Sequence, residues 1–172
     1  MPYGELEGFE NISASQRGSQ WCWAACIEMV LNYNNVAVLQ RDIVERSYGR
    51  NPFTGQLPDW PASWQLITAN LNGWGLRDRE GDRYRVMSEV WVGPPNLREL
   101  AISMDRNIPI IIGTNGHAMV VIGVRYRRIY HRIIVQSITV YDPWPGNGET
   151  VYNPNHFINM VRIHWNVFVE EY

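Results

Sequence analysis

Gln16-Arg17-Gly18-Ser19-Gln20-Trp21-Cys22-Trp23-Ala24-Ala25-Cys26 is the stretch whose reading decides the fold. Ser19-Gln20 offers helix-capping chemistry, and Trp23, Cys26, Ile27, Val30 and Leu31 follow at helical spacing. Cys22 therefore stands at the amino end of a predicted helix over 23–33, where unpaired backbone N–H groups and the helix dipole favour negative charge. A thiol attacks as thiolate, so it needs an imidazole to take its proton and a third group to orient that imidazole. Downstream the chain supplies one histidine in Gly116-His117-Ala118-Met119-Val120-Val121 and a carboxylate in Thr139-Val140-Tyr141-Asp142-Pro143. Gln16, six residues before Cys22, is the candidate side-chain donor to a developing oxyanion, with Gln20 second. Cys26, one turn further on, reads as a buried packing residue.

Outward from that stretch, residues 1–15 read as an irregular surface arm. Further helices are expected over 40–47, 62–71 and 96–106, the last following Gly93-Pro94-Pro95. A loop rich in Gly and Pro fills 49–61. From 107 the pattern changes to β-branched and aromatic runs at 108–113, 117–126, 133–141 and 162–169, with turn signals at Asn115-Gly116 and Pro145-Gly146-Asn147-Gly148. One helical turn is expected within 155–160. Helices first and strands second imply an α+β fold. The expected organisation is one catalytic domain over 16–172, its helical half about 16–106 bearing the nucleophile and its β half about 107–172 bearing the base.

Composition narrows the function classes. A chain of 172 residues with 45% hydrophobic content, eight Trp, nine Tyr and four Phe is a packed globule and not a disordered segment. Net charge −2 gives no nucleic-acid footprint, and the arginines at 125, 127, 128 and 132 read as a solvated hairpin. No apolar run reaches the roughly 20 residues that span a bilayer, and the first residues lack a signal-peptide pattern. The expectation is a cytoplasmic protein, or one secreted without a classical signal. Cys22 and Cys26, four apart on one helix face, are expected to stay free thiols. A zinc site built on them would need the pair in a turn or knuckle, but they straddle Trp-Ala-Ala on a helix and no second Cys or His pair follows, and Gly73-Trp74-Gly75 lacks the Lys-Ser or Lys-Thr of a phosphate loop. No metal or cofactor is expected.

Gln16, five intervening residues and Cys22-Trp23-Ala24 resemble the nucleophile segment of papain-like cysteine proteases, and Gly116-His117-Ala118-Met119-Val120-Val121-Ile122-Gly123 is similar to their base-bearing strand. Papain has asparagine as third member, in an Asn-Ser-Trp setting. Tyr141-Asp142-Pro143 is closer to the bacterial C39 (double-glycine-leader) and C70 peptidases, and Trp21-Cys22-Trp23-Ala24-Ala25-Cys26 matches the C70 pattern Gly-Cys-Trp-x-Ala-Cys. The resemblance implies a helical lobe packed on an antiparallel sheet or partial barrel. It implies Cys22 as nucleophile, His117 as base, Asp142 as orienting group and Gln16 as oxyanion donor. It implies a peptidase acting on a peptide or protein through a thioester, in the role of a bacterial effector, toxin or processing protease. A cognate inhibitor or a host target protein is the further partner that an effector role entails. The same apparatus serves deamidation and acyl transfer, and a papain-like fold without turnover serves as a peptide-binding module.

Overall fold

Helix α1 (Cys22–Tyr33) buries every residue from Trp23 to Leu31, all of them apolar except Glu28. A helix of that kind belongs inside a protein, with neighbours on every side. Helix α2 (Gln40–Tyr48) packs along it, α3 (Trp64–Asn70) packs on α2, and strand β5 (Ala118–Ile129) crosses its other flank. The computed structural model describes residues 3–73, 75–77 and 80–171. Trp74 of the Gly-Trp-Gly stretch and the first two residues of the arm lie outside that set.

The remaining elements are β1 (Tyr3–Glu5), β2 (Gly75–Arg77), β3 (Arg83–Val92), α4 (Leu97–Asp105), β4 (Ile110–Gly113), β6 (Arg132–Asp142), β7 (Gly148–Tyr152), α5 (Pro154–Met160) and β8 (Ile163–Glu171). The strands form one eight-stranded sheet in the order β2-β3-β8-β4-β5-β6-β7, with β1 added against β5, and every pairing is antiparallel. Ile110–Ile112 and Ala118–Val124 are buried on both faces, which explains why they read as continuous apolar runs and not as alternating ones. The helical layer carrying α1 against this sheet is the expected α+β arrangement.

Three local expectations change. The arm is not irregular: Tyr3–Glu5 pairs with Gly123–Arg125, and Leu6 and Phe9 are each 3% exposed, so the segment is held by the core. The helical half is interrupted by β2 and β3, and β3 pairs along its whole length with β8. Ser19 does not cap α1, whose N-cap is Trp21 with no side-chain cap bond; its hydroxyl donates instead to Asp59 Oδ2 at 2.6 Å. A carboxylate is the stronger acceptor, and the charge-assisted bond wins over local capping.

Candidate active site

The three residues expected to act together converge where α1 begins, β5 begins and β6 ends. Gly116 has φ 78°, a left-handed conformation that turns the chain sharply between β4 and β5 and delivers His117 to the sheet edge above Cys22. His117 Nε2 and Asp142 Oδ1 lie 2.6 Å apart, with the imidazole side chain 26% and the carboxylate 11% exposed. Cys22 lines the same cavity as the imidazole, and its interaction with the ring is the largest influence on the ring's proton affinity. Burial opposes it, Asp142 adds to it, and the result lifts His117 from 6.5 to about 9. At neutral pH the ring is an imidazolium between a carboxylate and a sulfur. Nδ1 is thereby left for Cys22, since Nε2 is taken by Asp142.

Asp142 is fixed by more than the imidazole. Trp144 N–H donates to Oδ1 at 2.9 Å, and Asn147 Nδ2 donates to Oδ2 at 3.0 Å. Burial works against its charge, but these donors and His117 hold the carboxyl below its ordinary value. It stays a carboxylate. Cys26 differs in kind: it is fully buried, and burial, followed by Cys22 and Asp142, pushes its thiol well above the ordinary value. A neutral buried thiol is a packing group.

Gln16 sits at the rim of the same site, 6% exposed. Its backbone N–H donates to Pro143 O at 2.8 Å, which ties the segment before the nucleophile to the residue after Asp142. Both hydrogens of its Nε2 are engaged, at 3.0 Å with Gly18 O and at 2.8 Å with Ser19 O, and its Oε1 is buried without a partner. Two carbonyl neighbours fix this amide orientation, because a flipped oxygen would face both. Gln20 instead lines the cavity beside Cys22.

Several supporting residues carried no signal in the sequence. Asp59, in the Gly/Pro-rich loop, accepts from Ser19 Oγ and, at 2.8 Å, from Gln20 N. On either side of it, Trp21 Nε1 donates to Pro58 O at 3.0 Å and Trp23 Nε1 to Trp60 O at 3.1 Å. Gly18 is required there, since a Cβ would stand 2.7 Å from the Trp21 ring and 2.8 Å from Asp59 Oδ1. Behind Gln16, Gln40 accepts from Arg17 N at 2.8 Å and donates to Ser15 O at 2.9 Å. The buried Glu28 of α1 in turn accepts from Gln40 N at 2.9 Å. Such partnerships span 12 to 40 residues of sequence, where periodicity says nothing.

Cys22 and His117 open onto a cavity of about 190 Å³ whose far walls are Trp64, Ile67, Ile163 and Trp165. It is a mainly apolar recess beside the Cys22 sulfur, of a size to take one side chain.

A helix-borne cysteine facing a sheet-borne histidine across an α+β interface is the architecture of the papain-like cysteine proteases. Residues 9–171 match the Peptidase_C39 like family, and the chain belongs to it. Among solved structures it is similar to the peptidase domain of ComA from Streptococcus, a bifunctional ABC transporter of a quorum-sensing pathway. The identity is 13%, with 91% of this chain and 95% of that one covered at a TM-score of 0.59. A double-glycine-motif protease from an AMS/PCAT transporter, solved with its leader peptide, matches at 14% identity, 97% and 98% coverage and a TM-score of 0.57. A procathepsin B from Trypanosoma congolense matches at 8% identity, 98% and 77% coverage and 0.60. No curated protein sequence matches the chain. The chain is thus a C39-like cysteine peptidase with a papain-like fold, and among the described residues no helix is long and apolar enough to cross a membrane.

Proposed function

We propose that Cys22, His117 and Asp142 are the catalytic triad, and that the protein hydrolyses a peptide bond in a peptide or protein substrate. The observation that carries this reading is the 2.6 Å His117–Asp142 contact on an imidazole whose other partner is Cys22. The imidazolium stabilises a thiolate at Cys22, which attacks the scissile carbonyl. His117 then gives its proton to the leaving amine as the thioester forms. Deprotonated again, it takes a proton from the water that attacks the thioester, and Cys22 leaves as thiolate.

The Cys22 N–H, in the first turn of α1 where backbone donors have no intrahelical acceptor, is one donor to the oxyanion. Gln16 supplies the other by releasing one of its two backbone carbonyls as negative charge develops on the substrate oxygen. Gln20, already on the cavity wall, is the alternative donor. The apolar recess between Trp64 and Trp165 receives an apolar substrate side chain close to the cut. Of the biological roles, processing of a partner peptide is the one supported by the transporter protease solved with its leader peptide. An effector or toxin role rests on the C70-like Cys-Trp-Ala-Ala-Cys pattern alone.

The test is product analysis by mass spectrometry on a peptide library, with wild type beside Cys22→Ala. Wild type should yield new peptide termini, and Cys22→Ala should lose activity by several powers of ten while keeping its thermal unfolding profile. A mass change of +1 without cleavage would make the protein a deamidase on the same fold. Binding without any product would make it a peptide-recognition module.

A further inference from the structure

Strands β5 and β6 outrun the sheet that holds the site. Strand β4 accompanies β5 only over Ala118–Val121, β1 over Gly123–Arg125, and β7 accompanies β6 only over Ile138–Asp142. From Tyr126 to Ile129 and from Arg132 to Val135 the two strands pair only with each other, as a projecting ribbon. The chain's 15 basic residues are all arginine, and four of them, Arg125, Arg127, Arg128 and Arg132, are exposed on or at the base of this ribbon. No Asp or Glu occurs between Asp105 and Asp142, and the ion pairs found among the described residues involve other cations. Arg125 and Arg128 lie over the rings of Tyr3 and Tyr126, and the carboxylate of Asp105, at the ribbon's base, accepts from the Tyr126 hydroxyl at 2.9 Å.

The tip has the opposite character. Tyr130 is 97% exposed, with φ 55° in the left-handed region. A bulky residue rarely adopts that conformation, and here no packing repays it. Ile129 precedes it, 40% exposed, and Ile134, 46% exposed, lies opposite Arg127 two residue pairs further down the ribbon. Arg132 faces Ile129 and Arg127 faces Ile134, so arginine and apolar side chains share the end of a two-stranded arm. Along the 12 residues of β5, at about 3.3 Å per residue, the ribbon's end lies roughly 40 Å from His117. That exceeds the screening length of about 8 Å several-fold, so a partner at the tip senses the ribbon's charge and not the chain's net −2.

We propose that this ribbon tip docks the protein on an anionic lipid bilayer. Ile129, Tyr130 and Ile134 seat among the headgroups, and Arg125, Arg127, Arg128 and Arg132 meet lipid phosphates. Three considerations select this occupant. A stable protein interface uses about 20–30 residues a side, whereas the unaccompanied ribbon and its turn span ten positions, 126–135. A nucleic-acid reader gains nothing from an exposed tyrosine and two exposed isoleucines among its arginines, while a bilayer interface accommodates aliphatic and tyrosine side chains together. Arginine forks onto phosphate in bidentate fashion, and each basic residue near an anionic surface favours binding roughly fivefold, or several hundredfold for four.

The experiment is co-sedimentation of the full chain with vesicles of phosphatidylcholine alone or with 30% phosphatidylglycerol, at 0.1 M and 0.5 M salt. Binding to the anionic vesicles should exceed that to neutral ones at least tenfold and collapse at 0.5 M salt. Arg127→Glu with Arg132→Glu should abolish pelleting. Tyr130→Gly should weaken it several-fold while raising the unfolding temperature, because glycine relieves the left-handed strain; a folding defect would lower that temperature instead. Equal pelleting with neutral vesicles, or binding indifferent to the arginine pair, overturns the proposal. So does absence of vesicle binding alongside salt-sensitive retention of duplex DNA or polyglutamate, which would assign the ribbon to a nucleic acid or an acidic protein.

Discussion

Removing the Asp142 carboxylate tests the electrostatics of the site more directly than removing the nucleophile. Asp142→Ala deletes the acceptor of a 2.6 Å bond from an imidazolium, at a position where the carboxylate is 11% exposed. A hydrogen bond to a charged group is worth about 1.5–3 kcal/mol, so kcat/KM should fall about 10- to 150-fold. Asp142→Asn is gentler but not free. Three donors surround this side chain, from His117, Trp144 and Asn147. An asparagine oxygen can serve His117 and Trp144, but its NH₂ then faces the Asn147 NH₂. Rotation of the Asn147 amide removes the clash, and the loss should stay near the tenfold end. The diagnostic readout is the pH profile of kcat/KM on a fluorogenic peptide that wild type cleaves. Its alkaline limb reports loss of the imidazolium and should lie at about 9, the value His117 reaches in the folded protein. The bond to Asp142 is one of the influences that raise it, so both variants should move that limb toward acid. An unchanged limb with unchanged rate would remove Asp142 from the site. An asparagine variant as dead as His117→Ala would show that charge, and not orientation, is what the imidazole needs.

Cys26→Ala should keep most activity and lose about 1 kcal/mol of stability, the worth of a methylene-sized buried group with its cavity, read as a drop of a few degrees in unfolding temperature. Gln16→Ala should cost about 10²–10³ in turnover while iodoacetamide alkylation of Cys22, which forms no oxyanion, stays near normal; if Gln20→Ala alone shows that split, the donor is Gln20. Asp59→Asn should lower kcat by up to about tenfold with KM nearly constant, the worth of about 1 kcal/mol in weakened bonds to Ser19 and Gln20, and an effect confined to KM would make the loop a substrate contact instead. Stability conferred by protonated His117 is fully present below its unfolded value near 6.5 and should fade as pH rises through about 9. That conferred by Asp142, held low, should be lost as pH falls below the ordinary carboxylate range, and His117→Gln should flatten the alkaline decline in melting temperature.

What the sequence disclosed and what it withheld follow from the range of the interactions. Helix α1 and the apolar core of β5 are local patterns of burial, and Trp23–Leu31 and Ala118–Val124 announce themselves in consecutive residues. Strand β3 is different: among Arg83–Val92 only Val86 is fully buried, so the polar and charged residues between its apolar ones masked an element that exists by pairing with β8, about 80 residues away. The candidate triad was legible because its three residue types sit in distinctive short contexts. Asp59, Asn147 and Gln40 sit in none. An aspartate in a Gly/Pro-rich loop is ordinarily a turn residue, and nothing local says that Asp59 reaches back 40 positions to Ser19.

Those long-range partners bear on how the site works, because they bracket Cys22 from both sides. Upstream, Gln40 grips the backbone at Ser15 and Arg17, and Pro143 grips Gln16 N–H, one residue beyond the carboxylate that orients His117. Across the turn, Asp59 grips Ser19 and Gln20, while Pro58 and Trp60 hold the two tryptophans flanking the nucleophile. The segment from Ser15 to Trp23 is therefore held at both ends, by the start of α2 and Pro143 on one side and by residues 58–60 on the other. What remains free to adjust is the pair of glutamine side chains. Gln16 is buried with both amide hydrogens on the turn's own carbonyls, so in this arrangement it braces the turn that presents Cys22. To serve an oxyanion it must exchange one of those neutral bonds for a charge-assisted one, roughly twice as strong. That exchange is favourable only once negative charge develops on the substrate oxygen, which is the condition under which a donor lowers the barrier and does not merely tighten substrate binding.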